Sequence, residues 1–507
     1  YAPRFAFVGD PDNPDEDFAL ASNQWIDGIS PWEFELPVED YLQSVTAYFF
    51  TDRTIYRPGQ TVYFKGIVRN DDDAHYSVPG QGASVHVIIS DAQGAKVFED
   101  DLPLNDLGTL NGEFQLGEEA ALGYYNIEGQ YNDQIFSAGF QVAEYRKPEF
   151  QVTVETDKAE YAQGDKVNLT AQATYYFGGP VANAQVRYTV LSADYAFSYQ
   201  GKGWWDFTDY DYSRGYYASR GSSYGETIAQ GTGTTDAQGR FTFSLDADIV
   251  QYTTSQRWTL EVSITDVNNQ EVSNRTEAIV HKGLYYIGLR PASYVGQVNK
   301  DSGVNVITVD WQSQASPHRE VTVVFAEHNW YSVRKQAEDG RYYWDSTVED
   351  VPVYTTTVTT DAQGSGMAAF VPTKGGVYKI MATGLDEKEN VIRSSTYMWV
   401  SGREFVNWRQ ENNDRIELIT DQRQYKVGDT ATVLIPHPYQ GKVKALITLE
   451  RGHIYRNWVQ TLETNSDQIQ IPITEDMLPN VFVSVIIVKG EDETNPLPSF
   501  KMGYAQL

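Results

Sequence analysis

The stretch TDRTIYRPGQ, residues 51–60, decides the fold because it returns. Residues 156–165 read TDKAEYAQGD and residues 420–429 read TDQRQYKVGD. Each copy opens on Thr-Asp, carries Tyr at its sixth position and Gly at its ninth, and runs into an apolar alternation: TVYFKGIV, KVNLTAQA or TATVLIPH. Alternation of period two is the mark of a half-buried strand. Asp52, Asp157 and Asp421 can accept hydrogen bonds from neighbouring backbone N–H groups, as Asp does in turns. Pro58 fixes φ before Gly59, while Gly164 and Gly428 hold the same place without the proline. The ring of Tyr56, Tyr161 or Tyr425 is expected to pack beneath the turn, with its hydroxyl on a backbone partner. The stretch therefore reads as a folding device at the first turn of a repeated unit.

Working outward, nearly every segment repeats the strand pattern, as in ASVHVIIS, RFTFSLD, RWTLEVSIT, GVNVITVDW, KALITLERG and VFVSVIIVKG. No amphipathic helix longer than about two turns is found, against the three turns typical of globular helices. The fold class is all-β: a tandem array of antiparallel Ig/fibronectin-like β-sandwiches. A second element, DAQG, occurs at Asp91, Asp236 and Asp361 and reads as a tight turn leading into a strand. The spacings suggest one unit of about a hundred residues or slightly more, the size of an Ig-like domain. A missing copy of the opening stretch is expected near GLRPASYVGQVNKDSGVNVITVDW, where only Tyr294 and Gly296 survive. The expected limits are residues 1–45 as the C-terminal part of a preceding β domain, then sandwiches at 46–145, 146–283, 284–401 and 402–507. The abrupt start and end suggest a piece of a longer polypeptide.

Composition narrows the function. The 507 residues carry 69 Asp+Glu against 39 Lys+Arg, a formal net charge of −30. That disfavours nucleic acid or an anionic membrane as partner, and reads as solubility. Cysteine is absent, which removes disulfides, thiolate metal sites and cysteine nucleophiles and points to a bacterial origin. No apolar run approaches the length of a membrane span.

The search for chemistry is mostly negative. The seven histidines are scattered, and no phosphate-binding loop, dinucleotide fingerprint or His-Glu-x-x-His is present. GSSYG, residues 221–225, matches Gly-x-Ser-x-Gly without the strand-to-helix context that a hydrolase elbow needs. The acidic run DPDNPDEDF offers Asp10, Asp12, Asp15, Glu16 and Asp17 but lacks the pattern of a calcium loop, and reads as a solvated surface. No catalytic, cofactor or metal residue is assigned. The unusual segment is Asp194–Gly225, with seven Tyr plus Trp204 and Trp205. It reads as an insertion folding onto its own or a neighbouring domain; the alternative is an exposed platform for a glycan or protein, in which case the chain would be a cell-surface adhesin or glycan-binding array. Residues 194–225 and 401–414 are the loops expected to be open to proteases.

TDRTIYRPGQTVYFKGIVR resembles the signature heading a macroglobulin-type domain of the α2-macroglobulin family. DAQGAKVFEDDLPLNDLGTLNGEFQL, YRKPEFQVTVETDKAEYAQGDKVNLTAQATYYFGGPVANAQVRYTV and YKVGDTATVLIPHPYQGKVKALITLERG are similar to further family segments, the last to one ahead of the bait region. The resemblance covers about residue 45 to the end, and the lack of cysteine fits bacterial members. It implies the scaffold of a broad-spectrum endopeptidase inhibitor that traps proteases after bait cleavage, rather than an enzyme. Target endopeptidases would engage parts outside this chain, and a cell-wall-synthesis enzyme is a further implied partner. It also implies a periplasmic or cell-surface location, with an inner-membrane lipoprotein anchored through a missing N-terminus as one form. The family's thioester needs Cys-x-x-Gln, which this chain cannot supply.

Overall fold

The computed structural model describes residues 5–8, 19–22, 34 and 44–507 apart from 73–74, 144–148, 210–224, 337–341, 411–412 and 496–498. Among the described residues helix is confined to the short 3-10 turn Glu475–Met477 and to Phe34. The chain is otherwise strands, arranged as four sandwiches of one small and one larger sheet. Pro37–Glu149 forms one compact unit and Phe150–Leu507, with Tyr1–Leu36, another. Phe5–Val8 pairs with Ala19–Ser22; the acidic run 10–17 lies outside the described residues.

The second sandwich shows the plan. Its small sheet is Phe150–Thr156, Lys166–Tyr175 and Arg240–Asp246, and its larger sheet runs Glu160–Ala162, Glu271–His281, Ser255–Thr265, Gln185–Tyr195, Glu226–Thr234. The opening stretch is the place where the chain crosses from one sheet to the other. It leaves Phe150–Thr156, lays Glu160–Ala162 parallel on the last strand of the larger sheet, and returns as Lys166–Tyr175. The first sandwich crosses in the same way at Ile55–Tyr56, parallel to Gln134–Val142. The alternation then buries every second side chain, as in Val62, Phe64 and Val68.

One hydrogen-bond device closes the crossing. The Tyr161 hydroxyl donates to Asp157 Oδ1 at 2.7 Å and accepts the Lys158 N–H at 2.9 Å. Asp157 Oδ1 also accepts the N–H of Asn168 on the returning strand at 2.9 Å. Tyr425 and Asp421 repeat this at 2.7 Å, with Gln422 and Thr432 as the N–H donors. Tyr56 and Asp52 repeat it with Arg53 and Tyr63. The expected backbone partner of the hydroxyl is present, and the carboxylate is the second partner. Burial, reinforced by Asp157, pushes the Tyr161 phenol up to about 12, so it remains a donor. Asp157 is held below the usual carboxylate range, chiefly by that hydrogen bond. Gly59, Gly164 and Gly428 have φ of 77°, 85° and 95°, where a side chain is strained.

The third sandwich corrects one expectation. Its sheets are Tyr286–Pro291, Ser302–Val309, Ser365–Phe370 and Val295–Gln297, Val391–Ser401, Gly376–Leu385, Glu320–Gln336, Tyr342–Thr359. Here Gly296 faces Val400, as Tyr161 faces Val280, and the Ala292 N–H bonds the Gly303 carbonyl as Asp157 bonds Asn168. Ala292 thus stands in the place of Asp, Gly296 in the place of Tyr, and Asn299 (φ 60°) in the place of Gly. Tyr294 is not the surviving tyrosine but lies two residues before it. The pair has been lost together, and the Met398 side chain comes within 3.6 Å of where a Gly296 Cβ would stand.

The DAQG turns form as expected. Asp91, Asp236 and Asp361 each accept two backbone N–H groups at 2.8–2.9 Å, and Gly94, Gly239 and Gly364 are left-handed. Asp236 and Asp361 turn the chain between sheets, whereas Asp91 joins two strands of one sheet. The first sandwich's inter-sheet turn is instead Asn105–Gly108, built the same way. The fourth sandwich packs Ile419–Thr420, Thr430–Leu434 and Gln468–Pro472 against His453–Leu462, Val443–Arg451, Phe482–Lys489 and Ser499–Gln506. Each sandwich buries its own core between its sheets.

Candidate functional site

Among the described residues, an arrangement that resembles a catalytic relay lies where the second and third sandwiches meet. The Ser255 Oγ is 2.9 Å from Tyr286 Oη, which lies 2.6 Å from His281 Nδ1; His281 Nε2 is 3.3 Å from Glu160 Oε1. Trp311 stacks on the imidazole at 4.2 Å between ring centroids. His281 is fully buried, and burial pushes its pKa down to about 3. Such a group is a poor base near neutral pH, and Ser255 bonds the phenol rather than the imidazole. Glu160, Ser255 and His281 come from one sandwich, Tyr286 and Trp311 from the next. The chemistry this network supports is adhesion between the two.

Around it the aromatic insertion, as far as it is described, is a clasp. Phe197 stacks on Tyr286 at 4.0 Å, and Tyr199, Trp205 and Phe207 pack on the same apolar face with Ile307 and Val309. Asp206 exchanges both backbone bonds with Leu289 at 2.8 and 2.9 Å, extending the small sheet of the third sandwich. Its carboxylate accepts the Thr396 hydroxyl at 2.7 Å and Arg423 Nη2, from the fourth sandwich, at 3.1 Å. The Arg423 guanidinium lies over Trp204 and Tyr294 at 5.3 and 5.4 Å. The Tyr294 N–H bonds the Asp421 carbonyl at 3.1 Å, joining the altered crossing of the third sandwich to the intact one of the fourth. Three sandwiches therefore converge on Asp206. A cavity of about 560 Å³ beside it is lined by Tyr195, Asp206, Ser255, Lys282 and Arg393. Burial holds Lys282 below its usual value, and its ammonium is spent on the carbonyls of Ile249 and Tyr252.

The described part of the insertion, Asp194–Asp209, is thus packed on the neighbouring sandwich, with Trp204 59% exposed at its edge. Residues 210–224, with most of GSSYG, lie outside the described residues. The expectation of an open loop at 401–414 fails over its middle. Val406 and Trp408 are buried with Val295, Val377 and Leu434, and the Trp408 indole N–H donates to the Asn465 carbonyl at 2.6 Å. Sequence reading missed Arg423, Asn465 and His281 as junction residues, because each belongs to one sandwich and meets its partner only in the next.

Two family models match the chain: the MG2 domain over residues 46–142 and the alpha-2-macroglobulin bait region domain over residues 416–507. An alpha-2-macroglobulin homolog of Nostoc sp. is 24% identical over 94% of this chain and 24% of its own length. The alpha-2-macroglobulin of Ralstonia nicotianae is 26% identical over 88% and 26%. That of Thermotoga maritima is 35% identical over 33% of this chain and 11% of its own length. The chain belongs to the bacterial α2-macroglobulin family. It spans about a quarter of the length of the first two of these relatives. The native E. coli α2-macroglobulin structure overlays with a TM-score of 0.47 at 17% identity, covering 98% of this chain and 31% of that one. The Salmonella α2-macroglobulin reacted with methylamine gives 0.45 at 17%, covering 91% and 30%. The α2-macroglobulins it is similar to are protease inhibitors, and this chain is a macroglobulin-domain region. The sequence reading placed the fourth sandwich ahead of the bait; the bait region domain model falls on that sandwich, whose described residues are strands and short turns.

Proposed function

We propose that this chain is the scaffold of a broad-spectrum, bacterial protease-trapping inhibitor, and that its sandwiches occupy residues 46–145, 146–283, 284–401 and 402–507. The observation that carries the reading is the order of the two matches, an MG2 domain followed by a bait region domain within one chain. Cleavage of a bait would release a rearrangement of macroglobulin domains around the attacking endopeptidase. In that event the second to fourth sandwiches, joined at Asp206, would move as one block, because breaking the clasp exposes Phe197, Trp205 and Tyr286 together. The site of action would be the periplasm or cell surface, with a lipid-anchored full-length form and a cell-wall-synthesis enzyme as neighbour.

The test sets the full-length protein and this chain side by side with a broad-specificity protease, then follows activity on a large protein and on a small peptide. Trapping predicts that the full-length protein shields the large substrate but not the small one, and that this chain shields neither. Equal loss of both substrates with the full-length protein would sink the trapping reading. Co-purification of the full-length protein with the membrane fraction, and with a peptidoglycan synthase after crosslinking, tests the location and the neighbour.

A further inference from the structure

A second cleft, of about 740 Å³, opens between the long hairpin of the third sandwich and the fourth sandwich, within the range of about 300–1,000 Å³ usual for small-molecule sites. We propose that it binds a neutral oligosaccharide. The hairpin, Glu320–Gln336 and Tyr342–Thr359, contributes Trp330, Tyr331 and Trp344; the connecting segment contributes Phe405 and Trp408; the fourth sandwich contributes Tyr439.

These walls are fixed without a ligand. Ser332 and Ser346 face each other across the hairpin at 2.8 Å, and both bond the backbone of Gln410, at 3.2 and 3.0 Å. Trp408 is pinned through Asn465, and Arg409 covers Trp330 at 4.9 Å. A preformed site loses little to ordering when it binds. Phe405 nevertheless stays 48% exposed at the rim, a large apolar ring without cover.

The polar lining is neutral. Asn407, Gln410 and Gln440 have carboxamides that make no hydrogen bond among the described residues, whereas Thr494, Asn495 and Ser499 are bonded to Asp492, to the Lys489 and Gly490 carbonyls and to one another. The charged lining groups are Asp414 and Lys501, 3.9 Å apart, which offset each other. A phosphate or carboxylate ligand would find no clustered cations here. Tyr439, 7% exposed, adds a mostly buried ring to the lining. A pyranose fits the combination. Its C–H faces lie against rings, and its rim of hydroxyls matches carboxamides. An extended peptide would instead use a sheet edge for its main chain, and the lining here is made of side chains.

The test titrates the whole chain with chitotriose, cellotriose and maltotriose, read by tryptophan fluorescence and calorimetry. At least one trisaccharide is expected to bind saturably. Phe405→Ala and Asn407→Ala, both at exposed positions, should weaken it about tenfold or more, as loss of a central contact does. Phe177→Ala, on an exposed turn of the second sandwich, should leave binding unchanged. The proposal is overturned if none of the three sugars binds, or if Phe405→Ala and Asn407→Ala bind as well as the parent. Binding of casein-digest peptides without any sugar would make the cleft a peptide site and overturn it too. Neither result depends on whether the full-length protein traps proteases.

Discussion

In the second sandwich the crossing between sheets is closed from within, by the Tyr161 hydroxyl on Asp157 and by Asp157 on the returning strand. In the third, Ala292 and Gly296 can do neither, and the same crossing is held from outside. Leu289 is paired by Asp206 of the second sandwich, and Tyr294 is held by Asp421 and Arg423 of the fourth. One domain carries its own fastening; the other borrows it from both neighbours. The difference teaches that a lost local device need not weaken a tandem array, provided the lost bonds are replaced at a junction. It also means that the third sandwich depends on its place in the chain.

The sharpest way to break this comparison is to isolate the two kinds of domain. Residues 46–145, which carry their own Tyr–Asp pair, should unfold in urea as one cooperative transition. Residues 284–401 alone should show no such transition; a cooperative one would refute the dependence. Next in size is the fastening itself. In the whole chain Tyr161→Ala should destabilise the second sandwich by about 3–5 kcal/mol, as other buried aromatic truncations do. Tyr161→Phe, which removes only the hydroxyl, should cost about 1–2 kcal/mol. Equal effects of the two would mean that the hydrogen bonds contribute nothing.

The junction has its own pH dependence. His281 has a folded pKa depressed to about 3 by burial, against 6.5 for a free histidine. The unfolded chain therefore takes up a proton first as pH falls, and stability is lost from about pH 6.5 downward. Linkage puts the loss at about 2 kcal/mol by pH 5. His437, depressed to about 4 by burial in the fourth sandwich, acts in the same direction. His281→Gln should flatten the part of the loss that follows Trp311 fluorescence, leaving the part due to His437. The smallest effect is expected at Arg423, 45% exposed on its side chain. Arg423→Ala should cost no more than about 1 kcal/mol, yet speed amide exchange in Tyr286–Pro291 while leaving Thr61–Asp72 unchanged. Exchange altered equally in both would show that the contact does not act locally.

Much of this was legible in the sequence because turns and alternation are local. The three Tyr–Asp crossings could be found by letter, and their position at the head of each unit follows from the strand that comes after. The fourth could not be placed by letter. Tyr294 and Gly296 matched the pattern two and three residues out of register, and only the parallel pairing of Gly296 with Val400 shows what replaced what. The same applies to the Asp turns. Asp266, Asp310 and Asp386 each cap two backbone N–H groups as Asp236 does, but their left-handed residues are Asn269, Ser313 and Glu389 rather than Gly. A motif defined by glycine misses them. The junction was beyond sequence reading for a different reason: Asp206, Leu289, Thr396 and Arg423 are far apart in the chain and carry no shared signature.

The short strands laid down by the crossings of the first two sandwiches have a mechanical consequence. Ile55–Tyr56 runs parallel to Gln134–Val142, and Glu160–Ala162 runs parallel to Glu271–His281. The beginning and the end of a sandwich are thus stitched side by side and point the same way. Tension applied along the chain would pull these strands past each other, loading their bonds in shear all at once rather than unzipping them in turn. A stretching force would then be felt first in the connections between sandwiches, and the sandwiches would turn as intact pieces before any of them gave way.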